Sequence, residues 1–228
     1  MKKIIVLNHK STLEESKAKI YPVEINKFIR NDQNVIICPS SLYIPYFKGK
    51  YNFKLGSQTI SYENNTGSLT GNILKSAGVK YSIIDNQDTI EINKSISECL
   101  NNNISPIVII GETFYENELG KTMDIITKTI KQSFKSIEMG QDIIICYRPN
   151  WSYKAKQIPS IKHIEEVIEL VKNIIKKSYG FSIKVIYGGN INKENIKELD
   201  KILNLDGYLL DEISADVKSI KEIFNIME

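Results

Sequence analysis

Arginine is almost missing from this chain. Only Arg30 and Arg148 occur among 228 residues, and with the abundant lysines they give 30 positive side chains against 27 Asp and Glu, a net charge of +3. An excess that small, spread along the sequence, gives no footing for a nucleic-acid partner or a polybasic membrane anchor. Cysteine is scarce too. Cys38, Cys99 and Cys146 are odd in number, far apart and without C-x-x-C spacing, which argues against disulfides and a structural zinc. No apolar run approaches the roughly 20 residues of a membrane helix. The start, Met1-Lys2-Lys3-Ile4-Ile5-Val6-Leu7-Asn8, holds too short an apolar run for a signal peptide, which needs about 7–15 such residues, so the cytoplasm is the expected compartment. Linkers, low-complexity tracts and 20–50-residue repeats are absent as well.

What is present is an ordinary globular composition, 42% hydrophobic and 25% charged, which excludes a disordered or fibrous chain. Short β-branched runs alternate with helical patterns from end to end. The predicted strands are Ile4–Leu7, Val35–Cys38, Phe53–Ser57, Tyr81–Ile84, Ile107–Ile110, Ile143–Tyr147, Ile183–Tyr187 and Tyr208–Leu210. Each is nearly continuously apolar, as a strand covered on both faces must be. The clearest helix spans 160–177, with Ile161, Ile164, Val167, Ile168, Val171 and Ile175 on one face, Ser160 at its start and Gly180 at its stop.

Eight strands with crossovers predict an α/β chain closed as a (β/α)8 TIM barrel, with residues 1–228 as one domain. The competing open doubly wound sheet lacks a G-x-G-x-x-G after its first strand. In such a barrel the chemistry belongs to the loops after the strand ends. Those positions are polar here: Asn8-His9-Lys10, Pro39-Ser40, Gln58, Asp85-Asn86-Gln87-Asp88, Gly111-Glu112-Thr113, Arg148-Pro149-Asn150-Trp151, Gly188-Gly189-Asn190 and Asp211-Glu212.

In order and spacing these residues resemble the triosephosphate isomerase family along nearly the whole chain. Asn8-His9-Lys10 is similar to the family's Asn-Trp-Lys. Gly56-Ser57-Gln58 followed by Gly67-Ser68-Leu69-Thr70-Gly71 resembles its third loop, Pro106–Thr113 and Glu118–Thr122 follow its fifth strand region, and Tyr187-Gly188-Gly189-Asn190 and Leu205-Asp206-Gly207 its last two. The resemblance implies a homodimer, because that third loop, ending at Thr70 and Gly71, docks into a partner subunit. It implies no cofactor and no metal.

The departures fall on the catalytic positions. The family's mechanism uses a glutamate base, a neutral histidine electrophile and a closing loop. Family-equivalent positions here are Asn8, Lys10, Asn86, Asp88 and Arg148. Asn86 stands where the histidine belongs, Asp88 stands in for the glutamate of that loop, and the segment that follows is several residues shorter. In Tyr147-Arg148-Pro149-Asn150-Trp151 the base has become an arginine, and the glycine-rich tip of the closing loop has become Tyr153-Lys154-Ala155-Lys156. The phosphate-holding glycine pair after the last strand has become Asp211-Glu212.

A guanidinium stays protonated at neutral pH and offers no lone pair, so Arg148 cannot abstract a proton from carbon. Asn86 can donate to a carbonyl but cannot shuttle protons. Two carboxylates in place of glycines crowd and repel a phosphate dianion. Neither histidine is a replacement: strand alternation turns His9 outward from the barrel axis, and His163 lies in the helix after strand six.

The ligand pocket is expected at Lys10, Arg148, Gly188, Gly189, Asn190, Asp211 and Glu212. Lys10 either offers its charge to an anionic ligand or pairs with Asp88, Asp211 or Glu212, and the nearby carboxylates favour pairing. Arg148 either clamps an anion or pairs with Asp211 or Glu212, since strands six and eight feed the same side-chain layer; the structural pairing is favoured. Gly188 and Gly189 serve a tight turn, Glu112 holds neighbouring loops and Trp151 anchors a hinge. Gly120-Lys121-Thr122 lacks the earlier glycine of a phosphate loop, and Asn64-Asn65-Thr66 matters only in a secreted protein.

The sequence therefore points to a catalytically degenerate homologue with a residual small-ligand or protein-interaction role. The alternative is an active isomerase, either triosephosphate isomerase in glycolysis or a reworked site for another small anionic or zwitterionic substrate.

Overall fold

The structure, a computed structural model, describes residues 3–138 and 143–227, with only the backbone of Tyr153 and Lys154. Met1, Lys2 and the side chains of Tyr153 and Lys154, discussed above, thus lie outside the described residues.

Eight parallel strands close into a barrel in chain order: β1 Ile4–Asn8, β2 Asn34–Cys38, β3 Lys54–Ser57, β4 Tyr81–Ile84, β5 Ser105–Ile110, β6 Ile144–Tyr147, β7 Lys184–Gly188 and β8 Gly207–Leu210. The expected (β/α)8 architecture is what forms. The strands differ from the predicted runs only at their ends. β5 starts at Ser105, earlier than the apolar run, because the ladder pairs Ser105 with Tyr81 whether or not its side chain is buried. The seam between β8 and β1 pairs Ile4 with Gly207 and Leu7 with Leu210. A side chain at Gly207 would run into the backbone of Ile4, so the closing contact requires a glycine there.

Strand alternation divides the core in two. Ile4, Val6, Tyr81, Ile83, Ile107, Ile109, Ile144, Cys146, Ile186 and Leu209 belong to the cluster inside the barrel. Ile5, Leu7, Ile84, Val108, Ile110, Ile145, Tyr147, Tyr187, Tyr208 and Leu210 belong to the larger cluster between barrel and helices. Both faces of every strand are therefore buried, which is why the strands read as unbroken apolar runs.

The helices that matter for the mouth of the barrel are α1 Glu15–Asn26, α2 Gly71–Ser76, α3 Thr89–Asn101, α4 Phe114–Glu118, α5 Thr122–Ser133, α6 Ser152–Ala155 and α7 Ile161–Tyr179. α7 is the helix expected over 160–177. Ser160 accepts a hydrogen bond from the His163 N–H at 3.2 Å, and Gly180 ends the helix with φ +80°. α4 carries a reciprocal capping box between Thr113 and Glu116. No helix among the described residues is long and apolar enough to cross a membrane. Cys38, Cys99 and Cys146 are free and buried.

Candidate functional site

The inward parity of each strand continues one step past its end into the mouth of the barrel. After Tyr81 and Ile83 comes Asp85; after Ile144 and Cys146, Arg148; after Leu209, Asp211; after Ile4 and Val6, Asn8. Asp85, Arg148 and Asp211 follow β4, β6 and β8, and alternate strands of such a barrel supply one layer of side chains. Arg148 is therefore placed between two carboxylates. Its Nη2 lies 2.6 Å from Asp85 Oδ2 and its Nη1 lies 3.8 Å from Asp211 Oδ2. Asp211 also accepts a hydrogen bond from Asn8 Nδ2 at 2.9 Å and faces Lys10 Nζ at 3.7 Å.

Lys10 is held for this contact by its backbone. Its φ of +49° is in the left-handed region that a lysine seldom occupies. Gln58 Nε2 fixes it by donating to the Lys10 carbonyl at 2.7 Å and to the Cys38 carbonyl at 3.1 Å. The Lys10 N–H donates to Asn8 Oδ1 at 3.4 Å.

Charge and burial pull against each other in this cluster. Burial lowers the Arg148 pKa, but Asp85 and Asp211 together outweigh it and hold the guanidinium above its ordinary range. For Asp211 burial wins: its pKa is raised although Arg148 and Lys10 pull it down. The pairing favoured for both cations is present, with one correction. The nearest partner of Arg148 is Asp85, not Asp211 or Glu212, because Asp85 sits beside it in the same layer.

The other expected residues are placed around this cluster. Asp88 is committed to the backbone: it caps α3, its Oδ1 accepting from the Ile90 N–H at 2.7 Å and the Glu91 N–H at 3.3 Å. Asn86 is exposed, and its Oδ1 accepts from the Asp88 N–H at 3.0 Å. Gly188 ends β7, and Gly189 and Asn190 follow with φ +108° and +48°, a tight turn. Asn195 Nδ2 donates to the Asn190 carbonyl at 2.8 Å and pins that turn. Glu212 opens a short 3-10 helix, Glu212–Ala215, and is exposed. Thr70 bridges Ser61, and the Gly71 N–H that begins α2 donates to Glu98 Oε1 at 2.8 Å.

Glu112 holds its neighbours as expected. Fully buried, it accepts from Trp151 Nε1 at 2.8 Å and from the Tyr147 hydroxyl at 3.3 Å, tying β5 to the segment after β6. His9 points outward, packed edge-on against Tyr21 and Phe47. His163 lies on α7, 6.5 Å from the Tyr147 ring. Among the described residues no group of three or more His, Cys, Asp or Glu could hold a metal ion.

A family model described as triosephosphate isomerase matches residues 3–227. The chain belongs to the triosephosphate isomerase family. The protein named triosephosphate isomerase in Thermodesulfovibrio yellowstonii is 30% identical over 236 residues, covering 94% of this chain and 95% of that protein. The one from Moorella thermoacetica is 29% identical over 190 residues, covering 76% of each. The crystal structure of triosephosphate isomerase from Bartonella henselae matches with a TM-score of 0.89 at 20% identity over 99% of both chains, a likeness of fold.

From the sequence Asp85 stands only among the polar residues that follow β4, and its pairing with Arg148 is a finding of the structure. Counting alternate residues from Tyr81 would have turned it inward toward Arg148. Gln58, the residue that fixes Lys10, has no such signal, because it lies beyond its strand in an irregular turn.

Proposed function

We propose that this family member is catalytically degenerate as a triosephosphate isomerase, and that it acts through a residual small-ligand or protein-interaction role. The observation that carries the reading is the 2.6 Å pair between Arg148 and Asp85, backed by Asp211, at the position where the family's mechanism needs a free carboxylate. A paired guanidinium does not accept a proton, and Asn86 does not shuttle one. Loss of a general base costs about 10²–10⁴ in rate and loss of an electrophilic donor about 10²–10³, so together they remove roughly 10⁴-fold or more. Asp211, brought to the mouth by β8, adds a negative charge where the family holds a phosphate.

A coupled isomerase assay on the purified protein, run in both directions, tests this. The expected result is no turnover above that of a Lys10→Ala sample. Turnover at family levels that disappears in Lys10→Ala overturns the proposal. A reworked site for another anionic or zwitterionic substrate draws support from Lys10, whose side chain is 34% exposed beside Asp211.

We further propose a cytoplasmic homodimer. The loop between Ser61 and Thr70 is braced at its base by Glu98, and Ile73 on α2 beside it is 51% exposed, an apolar group suited to an interface. Sedimentation analysis is expected to give about twice the 26.0 kDa chain mass. A single-chain mass at micromolar concentration rules the homodimer out.

A further inference from the structure

A groove of about 1110 Å³ opens at the rim of the barrel, off its axis, between α3 and α5. That volume is slightly above the roughly 300–1,000 Å³ typical of small-molecule sites. One side of it comes from the 85–90 stretch. Ile109 and Ile110 of β5 form an apolar floor. One wall is a stripe of α5 at helical spacing, Ile125, Lys128, Thr129 and Gln132. Thr89 Oγ1 donates to Gln132 Oε1 at 3.3 Å and braces α3 against this wall. Asp85 and Arg148 line the inner end, so the groove and the charge cluster share a wall.

The chemistry of the lining selects a ligand. Its carboxylates are already engaged: Asp85 with Arg148, Asp88 with the N-terminus of α3, and Glu116 with Thr113. Arg148 is likewise paired. Lys128 is exposed and has no ion-pair partner among the described residues. Around it stand amides and hydroxyls, Gln87, Thr129, Gln132 and Asn150, groups that both donate and accept. Such a set matches ligand hydroxyls, which also do both, and the single available cation matches one anionic group.

We propose that this groove binds a sugar-sized polyhydroxylated molecule carrying one anionic group, held at that group by Lys128. Lys10 and Asp211 do not line it, so the groove meets the charge cluster only through Asp85 and Arg148 at its inner end.

Titration calorimetry with four probes tests it: glucose 6-phosphate, gluconate, glucose and inorganic phosphate. At least one of the anionic sugars is expected to bind with a dissociation constant of about 1 mM or tighter, and at least tenfold more tightly than glucose or phosphate alone. Which of the two binds tells a phosphate from a carboxylate as the anionic group. Lys128→Glu, a change at an exposed position, is expected to weaken that binding tenfold or more, the factor that about 1.4 kcal/mol represents. Ile125→Trp, which fills the groove, is expected to abolish it, and Lys10→Ala to leave it unchanged. The proposal fails if neither anionic sugar binds or if phosphate alone binds equally well. It also fails if binding survives Lys128→Glu unweakened, or if Lys10→Ala abolishes it.

Discussion

Arg148→Glu is expected to lower the thermal midpoint by about 5–15 °C without creating an isomerase. The substitution removes the cation between Asp85 and Asp211 and puts a third carboxylate in its place. Removing one partner of a buried pair typically costs about 3–5 kcal/mol. Asp85 is 47% exposed, so solvent screens part of its share, while Asp211 at 10% exposure carries most of the penalty. Lys10 and Asn8 still contact Asp211 and soften the loss. For a chain of this size each kcal/mol moves the midpoint by about 2–4 °C. Arg148→Met keeps the apolar stem and adds no negative charge, so its loss is expected to be smaller. Isomerase turnover stays absent in both, because Asn86 and Asp211 are unchanged. Differential scanning calorimetry of the three proteins, with the coupled assay beside it, decides. An unshifted midpoint in Arg148→Glu means the cluster contributes nothing to stability.

The second large effect concerns acid. His9 is buried against Tyr21 and Phe47, and neither ring nitrogen has a hydrogen-bond partner among the described residues. Burial drops its pKa from an ordinary 6.5 to about 3. In the unfolded chain the ring takes a proton near pH 6.5, and in the folded chain only near pH 3. Between those values the unfolded state holds more protons, so stability falls as pH drops through the window and is fully present above it. At 1.36 kcal/mol per pH unit the whole span is worth roughly 5 kcal/mol, and the part between pH 7.5 and 4.5 roughly 3 kcal/mol. His9→Leu removes the proton acceptor and the unsatisfied nitrogens. Urea unfolding at those two pH values is expected to show a pH-dependent loss smaller by that amount than in the wild type. At pH 7.5 the variant is expected to be more stable by about 1–3 kcal/mol, the cost of a buried unpaired polar group. Equal pH-dependent losses in the two proteins would mean that His9 is protonated in the folded state.

His9 also illustrates how much was legible beforehand. Strands covered on both faces must be apolar throughout, so β1 to β8 stood out as runs, and alternation along Asn8-His9-Lys10 correctly turned His9 away from the axis. The same parity placed Arg148 and Asp211 in one layer. Asp85 is harder to read, because it lies just past β4 and its neighbours Asn86, Gln87 and Asp88 have the composition of a solvated turn. The off-axis groove had no signal at all. It is assembled from the 85–90 stretch, the end of β5 and one face of α5, a tertiary meeting that no local pattern encodes, and most of its lining residues look like ordinary helix and loop positions.

The seam between β8 and β1 gives the charge cluster a place in time as well as in space. Asp211 arrives on the last strand of the chain, whereas Asn8 and Lys10 stand at the end of the first. A chain emerging from the ribosome therefore carries Lys10 and Arg148 long before the carboxylate that lies between them exists. Until Gly207 slots against Ile4, the unfinished mouth has Asp85 but lacks Asp211 to balance its two cations. Electrical neutrality and mechanical closure of the barrel are completed by the same four-residue strand and the aspartate that follows it.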